Sequence, residues 1–296
     1  DVERSRGLGD VYKRQGMIYG ITTGYGDSCV VAVPLHQVEA LPRHLYTFHG
    51  CGLGKLLDEQ ATRAVLAARL QSLCQGMSGV RLELLERLQA FIEFDVLPLI
   101  PEEGSVGASG DLTPLSYIAA TLCGEREVMY RGERRSAAEV HAELGWTPLV
   151  LRPKEALALM NGTAVMTALA CQAYSRADYL LKLATRITAL NVIALQGNPE
   201  HFDERLFAAK PHPGQNQVAA WIRQDLAIDA PTAPLHRLQD RYSIRCAPHV
   251  LGVLADSLGL LRQFIETELN SANDNPLIDP DAVSYTHLRA HETSLH

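Results

Sequence analysis

Residues 104–119 of the chain have the sequence GSVGASGDLTPLSYIA. Three glycines fall within residues 104–110, and they give the backbone access to positive φ angles and tight turns. An apolar segment follows directly; Asp111 or Ser109 can cap it as a helix, and Gly124 can end it. The sequence therefore predicts a sharply bent loop at the start of a helix.

Long helices are predicted on both sides of this loop. Apolar residues recur at nearly helical spacing over residues 57–75 and, with Ser78 as an N-cap, over residues 80–96. A helix of about forty residues is predicted from Pro153, with the proline in its first turn. Another long helix is predicted over residues 249–269.

The composition agrees with a helical protein. Aromatic residues make up 6% of the chain, and strictly alternating β-branched runs, which are typical of strands, are rare. The 296 residues, 47% hydrophobic and 21% charged, suffice for one large domain or two ordinary ones. We therefore predict an all-α fold with a small, loop-rich, mixed part at its start, near residues 17–34.

Charge and cysteine usage exclude several classes of protein. The formal net charge is −7 without a basic block, which argues against nucleic acid or an anionic membrane as a partner. No uncharged apolar run reaches the roughly 18 residues of a membrane span, and no signal peptide precedes the first apolar run. The six cysteines form no C-x-x-C pair and lack zinc-ligand spacing. These features predict a cytoplasmic protein with reduced thiols and no metal site.

The tripeptide Ala108-Ser109-Gly110 can react with itself. The amide nitrogen of Gly110 attacks the carbonyl carbon of Ala108 and water leaves; a second water then leaves from Ser109. The product, 4-methylideneimidazol-5-one (MIO), is an electrophile built from the chain. The reaction needs small residues on either side for the bend and a β-hydroxyl between them. An ordinary flexible loop, or an anion-binding nest at a helix start, is the alternative interpretation.

Three further segments break local structural rules, and such breaks favour a functional site. They are YGITTGYG at 19–26, MNGT at 160–163 and QDRYSIRC at 239–246. The first interleaves glycines with hydroxyl groups, and the second places Asn, Gly and Thr where a helix interior disfavours them. The third concentrates charge before a long helix. Taken singly, a turn-rich loop, a helix kink and a solvated turn would explain them.

Together, the four segments resemble the signature of the histidine, phenylalanine and tyrosine ammonia-lyase family, in the same order along the chain. The resemblance covers residues 16–283, and NSANDNP at 270–276 adds to it. It implies the ammonia-lyase type of helical bundle and the MIO group formed from Ala108-Ser109-Gly110, with no metal or nucleotide. It also implies a carbon–nitrogen lyase that converts an aromatic L-amino acid to a trans-α,β-unsaturated acid and ammonia.

The resemblance assigns roles to individual residues. Tyr19 matches the catalytic base, and Tyr242 would lie near the electrophile and assist in moving protons. Arg245 would bind the substrate carboxylate through a bidentate pair. Asn161 matches an asparagine beside the prosthetic group and the substrate, and Gln239 a hydrogen-bonding group on the substrate side.

Substrate choice depends on two adjacent residues, Phe48 and His49, which match the family positions that face the substrate ring. Phe48 resembles the phenylalanine type and His49 the histidine type; a purely structural role for this histidine is the alternative. We also expect Gly26 to contribute to the substrate-binding site. Residues 25–29 and 49–52 look more like those of divergent bacterial aromatic lyases than like those of housekeeping histidine lyases. We therefore expect tyrosine or phenylalanine as the substrate, with histidine close behind.

The two ends of the chain differ from the rest. Residues 1–15 and 284–296 carry no sustained apolar period and resemble translated adapter sequence, so we exclude them from the fold. Frayed natural termini are the alternative. The predicted domain is then 16–283, with a loop-rich part to about residue 150 and a long-helix bundle from about residue 153.

The family resemblance also implies assembly. Its members form homotetramers whose active sites take residues from several subunits, so we expect the intact parent to be a homotetramer. Further pocket residues are expected after Val283. Three functions remain open: an ammonia-lyase, including a histidine ammonia-lyase that gives urocanate; an aromatic 2,3-aminomutase, which re-adds ammonia at the β-carbon; and an inactive helical scaffold.

Overall fold

The computed structural model of the chain describes residues 19–227 and 238–278. The predicted ends, 1–15 and 284–296, lie outside these residues. Two compact units divide the described chain: the first contains the residues up to Leu169 together with those from Glu268 onward, and the second is Ala170–Thr267.

Helices provide most of both units, which confirms the predicted helical fold class. The first unit contains a short 3₁₀-helix (Gly26–Val30), α1 (Leu35–Val38), α2 (Leu41–Phe48), α3 (Glu59–Leu73), α4 (Leu82–Glu93), α5 (Leu112–Leu122), α6 (Ala137–Glu143), α7 (Glu155–Met160) and the start of α8 (Ala164–Ala194). The second contains the rest of α8, a 3₁₀-helix (Pro199–Phe202), α9 (Glu204–Ala208), α10 (Pro213–Leu226), α11 (Tyr242–Arg245) and all but the end of α12 (Ala247–Leu269).

Two small antiparallel sheets interrupt the helices of the first unit. Their strands are β1 (Leu53–Leu56), β2 (Leu97–Pro98), β3 (Pro101–Glu103), β4 (Glu127–Tyr130) and β5 (Glu133–Ser136). One sheet pairs β1 with β3, and the other has the order β2-β4-β5. Positive φ angles at Arg131 and Gly132 suit the tight β4–β5 turn, because such turns match the twist of paired strands. The mixed part of the fold thus extends well beyond residue 34.

Helices α3 and α12 lie within one or two residues of the ranges predicted from periodicity. Asp58 caps α3 by accepting a hydrogen bond from the Ala61 N–H at 2.7 Å, and the helix buries an apolar stripe that includes Val65 and Leu73. The predicted cap of α4 is wrong. Arg81 stands at that N-cap, without a capping side-chain bond, and Ser78 lies buried in the preceding turn.

The helix predicted from Pro153 is two helices. Lys154, with φ of 81°, stands at the N-cap of α7, so the proline lies outside the first turn. Asn161 ends α7 in an extended conformation, and Gly162 has φ of 159°. The chain becomes helical again at Ala164, so the MNGT segment marks a complete break rather than a kink.

Each unit has its own apolar core. In the first unit, the core surrounds α5, and nearly all residues of this helix from Leu115 to Leu122 are buried. In the second, the core is formed by Leu181, Val192, Phe202, Val218, Ile222 and Leu258. The loop at 104–110 therefore leads directly into a rigid central helix of the first unit.

Large apolar side chains remain exposed on both long helices of the second unit. On α8 they are Leu180, Leu183, Ile187 and Leu190; on α12 they are Val250, Val253, Leu260, Leu261 and Phe264. The stretches Glu155–Ala194, which spans α7 and α8, and Tyr242–Leu269, which spans α11 and α12, each contain an 18-residue window with a mean hydropathy of 1.3. Their polar faces carry charged pairs, Asp178–Lys182 on α8 and Arg262–Glu266 on α12. These stripes are apolar surfaces of the kind that partner helices cover.

His141 is a buried histidine in the core of the first unit. Its ring lies 5.7 Å from the rings of both Phe91 and Trp146, measured between centroids. Neither ring nitrogen has a hydrogen-bond partner among the described residues. Burial, assisted by the nearby charge of Arg87, lowers the pKa of His141 to about 4, so its ring is neutral at neutral pH.

Acidification is therefore expected to destabilise the chain through His141. Between about pH 6.5 and pH 4 the unfolded chain binds a proton at this position that the folded chain does not, so the free energy of unfolding falls by roughly 2 kcal/mol. In His141→Leu this part of the pH dependence should vanish. Urea unfolding at neutral and mildly acidic pH measures it, with exposed His36→Leu as the control. Identical pH profiles for the parent and the His141 variant would refute the assignment.

Candidate active site

The loop before α5 has an unusual backbone. Gly107, Ser109 and Gly110 have φ angles of 69°, 60° and 111°. Ser109 is the notable case, because residues with a side chain seldom adopt positive φ. Ala108 is exposed, Ser109 is half-buried and Gly110 is buried. The predicted bend is thus present at the residues predicted to cyclise.

Gly110 packs against the break between α7 and α8. A Cβ atom at Gly110 would lie 2.3 Å from the backbone nitrogen of Gly162 and 3.1 Å from the carbonyl carbon of Asn161. The next residue along, Asp111, donates its backbone N–H to the Gly162 carbonyl at 2.7 Å. Two segments predicted independently, ASG and MNGT, are therefore in direct contact.

The carboxylate of Asp111 holds the same junction from its other side. It accepts hydrogen bonds from the backbone N–H groups of Val165 at 3.0 Å and Met166 at 2.9 Å. Its other oxygen accepts a bond from the Ser105 hydroxyl at 2.8 Å. The expectation that Asp111 or Ser109 caps α5 is wrong, since no side chain caps that helix. Asp111 instead caps α8, whose first N–H groups need an acceptor.

Asn161, predicted to lie beside the prosthetic group and the substrate, is buried next to this loop. Its side-chain nitrogen donates to the backbone carbonyl of Asn275 at 2.9 Å. One of its two amide donors is thus committed to the segment after α12. The NSANDNP segment, for which the sequence indicated no role, fixes the orientation of a predicted substrate-binding residue.

A fully buried arginine of α3 lies beneath the loop. The guanidinium of Arg69 donates to the carbonyl oxygens of Asn161 at 2.9 Å, Asn273 at 2.8 Å and Ala158. Burial lowers its pKa to about 10, against the opposing effect of Asp274 and Asp111. The side chain therefore stays charged at neutral pH.

A second buried charge lies nearby. Lys154 donates to the Asp274 carboxylate at 2.5 Å, and both side chains are almost completely buried. Burial lowers the pKa of Lys154, and the Asp274 carboxylate opposes that shift. The pair ties the start of α7 to the segment that binds Asn161.

Sequence reasoning did not identify Arg69, Lys154 or Asp274. A signal for the first was present, since Arg69 stands four residues after Val65 and four before Leu73, on the predicted apolar face of α3. A charge on such a face is rarely buried unless it is paired.

The first glycine-rich segment places Tyr19 next to Gly26. The Tyr19 hydroxyl accepts a hydrogen bond from the backbone N–H of Gly26 at 3.0 Å. Gly20 has φ of 67°, and a Cβ atom there would lie 2.1 Å from a methyl carbon of Leu157 in α7. Burial, with Tyr19 close by, raises the pKa of Tyr25 above its usual value. The segment therefore packs on α7, the helix that ends at Asn161.

Phe48 and His49 lie at the end of α2. Phe48 is 79% exposed and its ring meets that of His49 edge-on, with centroids 5.2 Å apart. Burial lowers the pKa of His49. Arg126 fixes the turn by donating to the Tyr46 carbonyl at 2.8 Å. A Cβ atom at Gly50 would lie only 1.9 Å from its guanidinium.

The remaining predicted residues belong to the second unit. Gln239 and Tyr242 are exposed, and the Arg245 guanidinium lies 4.4 Å from the centre of the Tyr242 ring. Arg245 donates through Nε to the Asp240 carbonyl at 3.2 Å. The Asp240 carboxylate in turn accepts a bond from the Asn198 N–H at 2.8 Å. The structure thus brings Tyr242 and Arg245 together within this unit.

The other predicted residues are those of the first unit, where Gly110 touches Asn161 and Tyr19 touches Gly26. Across the part of the chain that the structure describes, no three His, Cys, Asp or Glu side chains gather at a position that could hold a metal ion.

Gly162→Ala is expected to destabilise the chain strongly. The added Cβ atom would lie 2.1 Å from an Arg69 guanidinium nitrogen and 2.8 Å from the Asn273 carbonyl oxygen. Arg69 would have to leave its carbonyl partners, which costs about 2–4 kcal/mol in free energy of unfolding. Urea unfolding measures the loss.

The matched control is Gly259→Ala, at an exposed helical position of α12 with no atom within 4 Å of the new Cβ. It should be neutral or stabilising by up to about 1 kcal/mol. Equal effects of the two alanines would show that the packing at Gly162 is not tight.

Comparisons with known proteins agree with this geometry. A family model described as aromatic amino acid lyase matches residues 1–294. A histidine ammonia-lyase from Shouchella clausii is 41% identical over 281 residues, which are 94% of this chain and 56% of that protein. The chain spans about half the length of the curated relatives it matches.

Solved structures show the same fold. Phenylalanine aminomutase from Pantoea agglomerans matches with a TM-score of 0.88 at 32% identity, over 98% of this chain and 60% of that one. Histidine ammonia-lyase from Trypanosoma cruzi matches with a TM-score of 0.84 at 34% identity, over 98% of this chain and 55% of that one. The resemblance inferred from the four motifs is thereby confirmed, and the chain belongs to the aromatic amino acid lyase family.

Proposed function

We propose that the natural protein containing this chain is a histidine ammonia-lyase, a carbon–nitrogen lyase that eliminates ammonia from L-histidine to give urocanate. The observation that carries this proposal is the set of curated relatives, histidine ammonia-lyases that are 38–41% identical over at least 90% of the chain. The sequence motifs alone favoured tyrosine or phenylalanine. The relatives support the alternative, histidine, better.

His49 supports this choice of substrate. Its ring is partly buried, and the lowered pKa keeps it neutral at neutral pH. A neutral imidazole has one donor and one acceptor nitrogen, so it can either donate a hydrogen bond to the imidazole ring of histidine or accept one from it. Phe48, exposed beside it, could instead pack against a phenyl or phenol ring.

The loop residues fit the MIO group. Positive φ at Ser109 and Gly110 folds the chain back on itself, as attack by the Gly110 nitrogen on the Ala108 carbonyl carbon requires. The Gly110 N–H donates no hydrogen bond to any residue that the structure describes, which leaves this nitrogen available. Ser109 carries the β-hydroxyl that would leave as water. When formed, the group supplies an electrophile that makes the substrate amine a better leaving group.

Protein side chains would supply the remaining chemistry. Tyr19 would accept the β-proton of the substrate, and the Gly26 N–H at 3.0 Å would stabilise the negative charge on its oxygen. Asn161 would bind the substrate next to the electrophile, and Gly26 would line the substrate-binding site.

The segment at 239–246 would bind the acid end of the substrate. Arg245 uses its Nε on the Asp240 carbonyl, which leaves its two terminal nitrogens for a bidentate bond to the substrate carboxylate. Tyr242, under the same guanidinium, would help to move protons. Gln239 would add a hydrogen bond to the substrate.

Assembly and location complete the proposal. The exposed apolar stripes of α8 and α12 favour a homotetramer in which other helices cover them. We place the enzyme in the cytoplasm, take residues 16–283 as the natural part of the chain, and expect neither nucleic acid nor membrane as a partner. An aromatic 2,3-aminomutase is the second candidate, favoured by the likeness to the Pantoea aminomutase structure.

Formation of the electrophile can be read from the intact mass. The 296-residue chain should weigh less than its sequence mass by two water molecules, since cyclisation removes one and elimination at Ser109 another. Ser109→Ala should keep the full mass, because it lacks the leaving hydroxyl. Ser257→Ala, at an exposed position of α12 in the second unit, is the control and should still mature. A parent chain at its full sequence mass would refute the electrophile.

Substrate choice is tested on the natural full-length protein that contains residues 16–283. We expect L-histidine to give urocanate, followed by its ultraviolet absorbance, with kcat/KM at least tenfold above those for L-phenylalanine and L-tyrosine, a difference of about 1.4 kcal/mol. His49→Phe should reverse the preference toward phenylalanine.

Chiral chromatography of the products completes this test. A β-amino acid that accumulates from any of the three substrates would identify an aminomutase instead. Faster release of the unsaturated acid from tyrosine or phenylalanine than from histidine would overturn the choice of histidine.

A further inference from the structure

We propose that Arg69 is a positioning residue for electrophile formation, whose buried guanidinium holds the backbone of residues 158–162 where it locks Gly110 and Asp111. The inference rests on the proposed function in one respect, that Ala108-Ser109-Gly110 cyclises. It adds a residue from α3, far from the loop in sequence, to the apparatus that makes the electrophile.

The first observation is the bonding of the guanidinium. Arg69 is fully buried, and its two terminal nitrogens donate to three backbone carbonyls, those of Ala158, Asn161 and Asn273. Two of these carbonyls belong to the last turn of α7, where the final C=O groups of a helix lack intrahelical partners. Arg69 therefore holds together the end of α7 and the segment after α12.

The second observation is the path from Arg69 to the reacting nitrogen. Its guanidinium occupies the space where a side chain at Gly162 would begin, 2.1 Å from a Cβ atom at that position. On its other side, Gly162 accepts the Asp111 N–H at 2.7 Å and packs against Gly110. Residue 162 is thus held between the guanidinium and the loop, so a shift at Arg69 would be passed through Gly162 to Gly110.

The third observation concerns charge. Desolvating a guanidinium is costly, and an apolar side chain of similar volume could fill the same space in the core. The planar guanidinium fork holds its donors at fixed angles, so it can bind several carbonyls in one preorganised geometry, which a flexible ammonium group does not. The Asp111 and Asp274 carboxylates counter the charge, and Asp111 is the residue directly after the reacting tripeptide. The site is therefore organised around the loop rather than around packing alone.

The chemistry that this arrangement assists is balanced without any other reactant. A bond forms between the Gly110 nitrogen and the Ala108 carbonyl carbon. The Ala108 oxygen leaves as water with the amide hydrogens of Ser109 and Gly110. The Ser109 hydroxyl then leaves with its α-hydrogen as a second water, and a carbon–carbon double bond forms. Small errors in placing the two reacting atoms slow such a ring closure by factors of ten to about a hundred.

The experiment compares maturation in Arg69→Met, Arg69→Lys and the parent chain. Each 296-residue chain is made by cell-free translation, and intact mass is followed over time for the loss of two waters. We expect Arg69→Met to mature about ten to a hundred times more slowly than the parent. Arg69→Lys, which retains the charge but not the fork, should lie between them.

Leu66→Ala is the matched control, because Leu66 is also fully buried on α3 and its truncation should destabilise the core without removing a hydrogen bond to the loop. Under conditions in which circular dichroism shows that this variant is folded, it should mature at the parent rate. Maturation of Arg69→Met at the parent rate would overturn the proposal. So would equal slowing in Leu66→Ala and Arg69→Met, since stability alone would then explain both.

A second measurement does not depend on cyclisation. In a Ser109→Ala background, where the loop cannot mature, Arg69→Met should speed hydrogen exchange at the Asp111 amide about tenfold and leave α4 unchanged, since only the bond to Gly162 is loosened. Unchanged exchange at Asp111 would overturn the positioning role. A parent chain that never loses water, with faster exchange in the variant, would instead refute the proposed electrophile.

Discussion

The contact between Gly110 and Gly162 is the constraint on which the rest of the first unit depends. Two loops meet backbone to backbone there, because neither residue has room for a Cβ atom. Asp111 closes the contact on one side through its N–H and its carboxylate, and Arg69 closes it on the other. Tertiary contacts of this kind can hold strained angles such as the positive φ of Ser109, which local propensity opposes.

The same constraint explains why charge is buried so deeply in a protein of ordinary composition. A broken helix leaves carbonyl groups without partners at the end of α7, and an arginine satisfies three carbonyls of that junction at once. Lys154 and Asp274 extend the network to the segment after α12, which then holds Asn161. A buried hydrogen-bond network favours a single arrangement of the segments that it joins, and a site that makes its own electrophile requires one. In this network only the Nε of Arg69 and the Oδ1 of Asn275 are buried without a partner among the described residues.

Much of the fold could be predicted from local pattern. The periodicity that places α3 and α12 arises from the burial of one helix face, which is written into neighbouring residues. Prediction failed where the local conformation depends on a contact with a residue that is distant in the sequence. The break after Met160 and the cap that Asp111 provides for α8 both depend on residues at least 50 positions away along the chain. The short strands also escaped prediction, because a two- to four-residue strand carries too little periodicity to recognise.

The sequence by itself determined the family, the reacting tripeptide and most of the residues proposed to bind substrate, because these depend on residue type and spacing. It left the choice of aromatic substrate open between the phenylalanine type and the histidine type, since Phe48 is typical of the first and His49 of the second. Only the tertiary structure revealed how ASG and MNGT touch, and that Arg69 and Asp111 hold them. The reason is physical: hydrogen bonds between distant segments have no local sequence period, so folding alone brings their partners together.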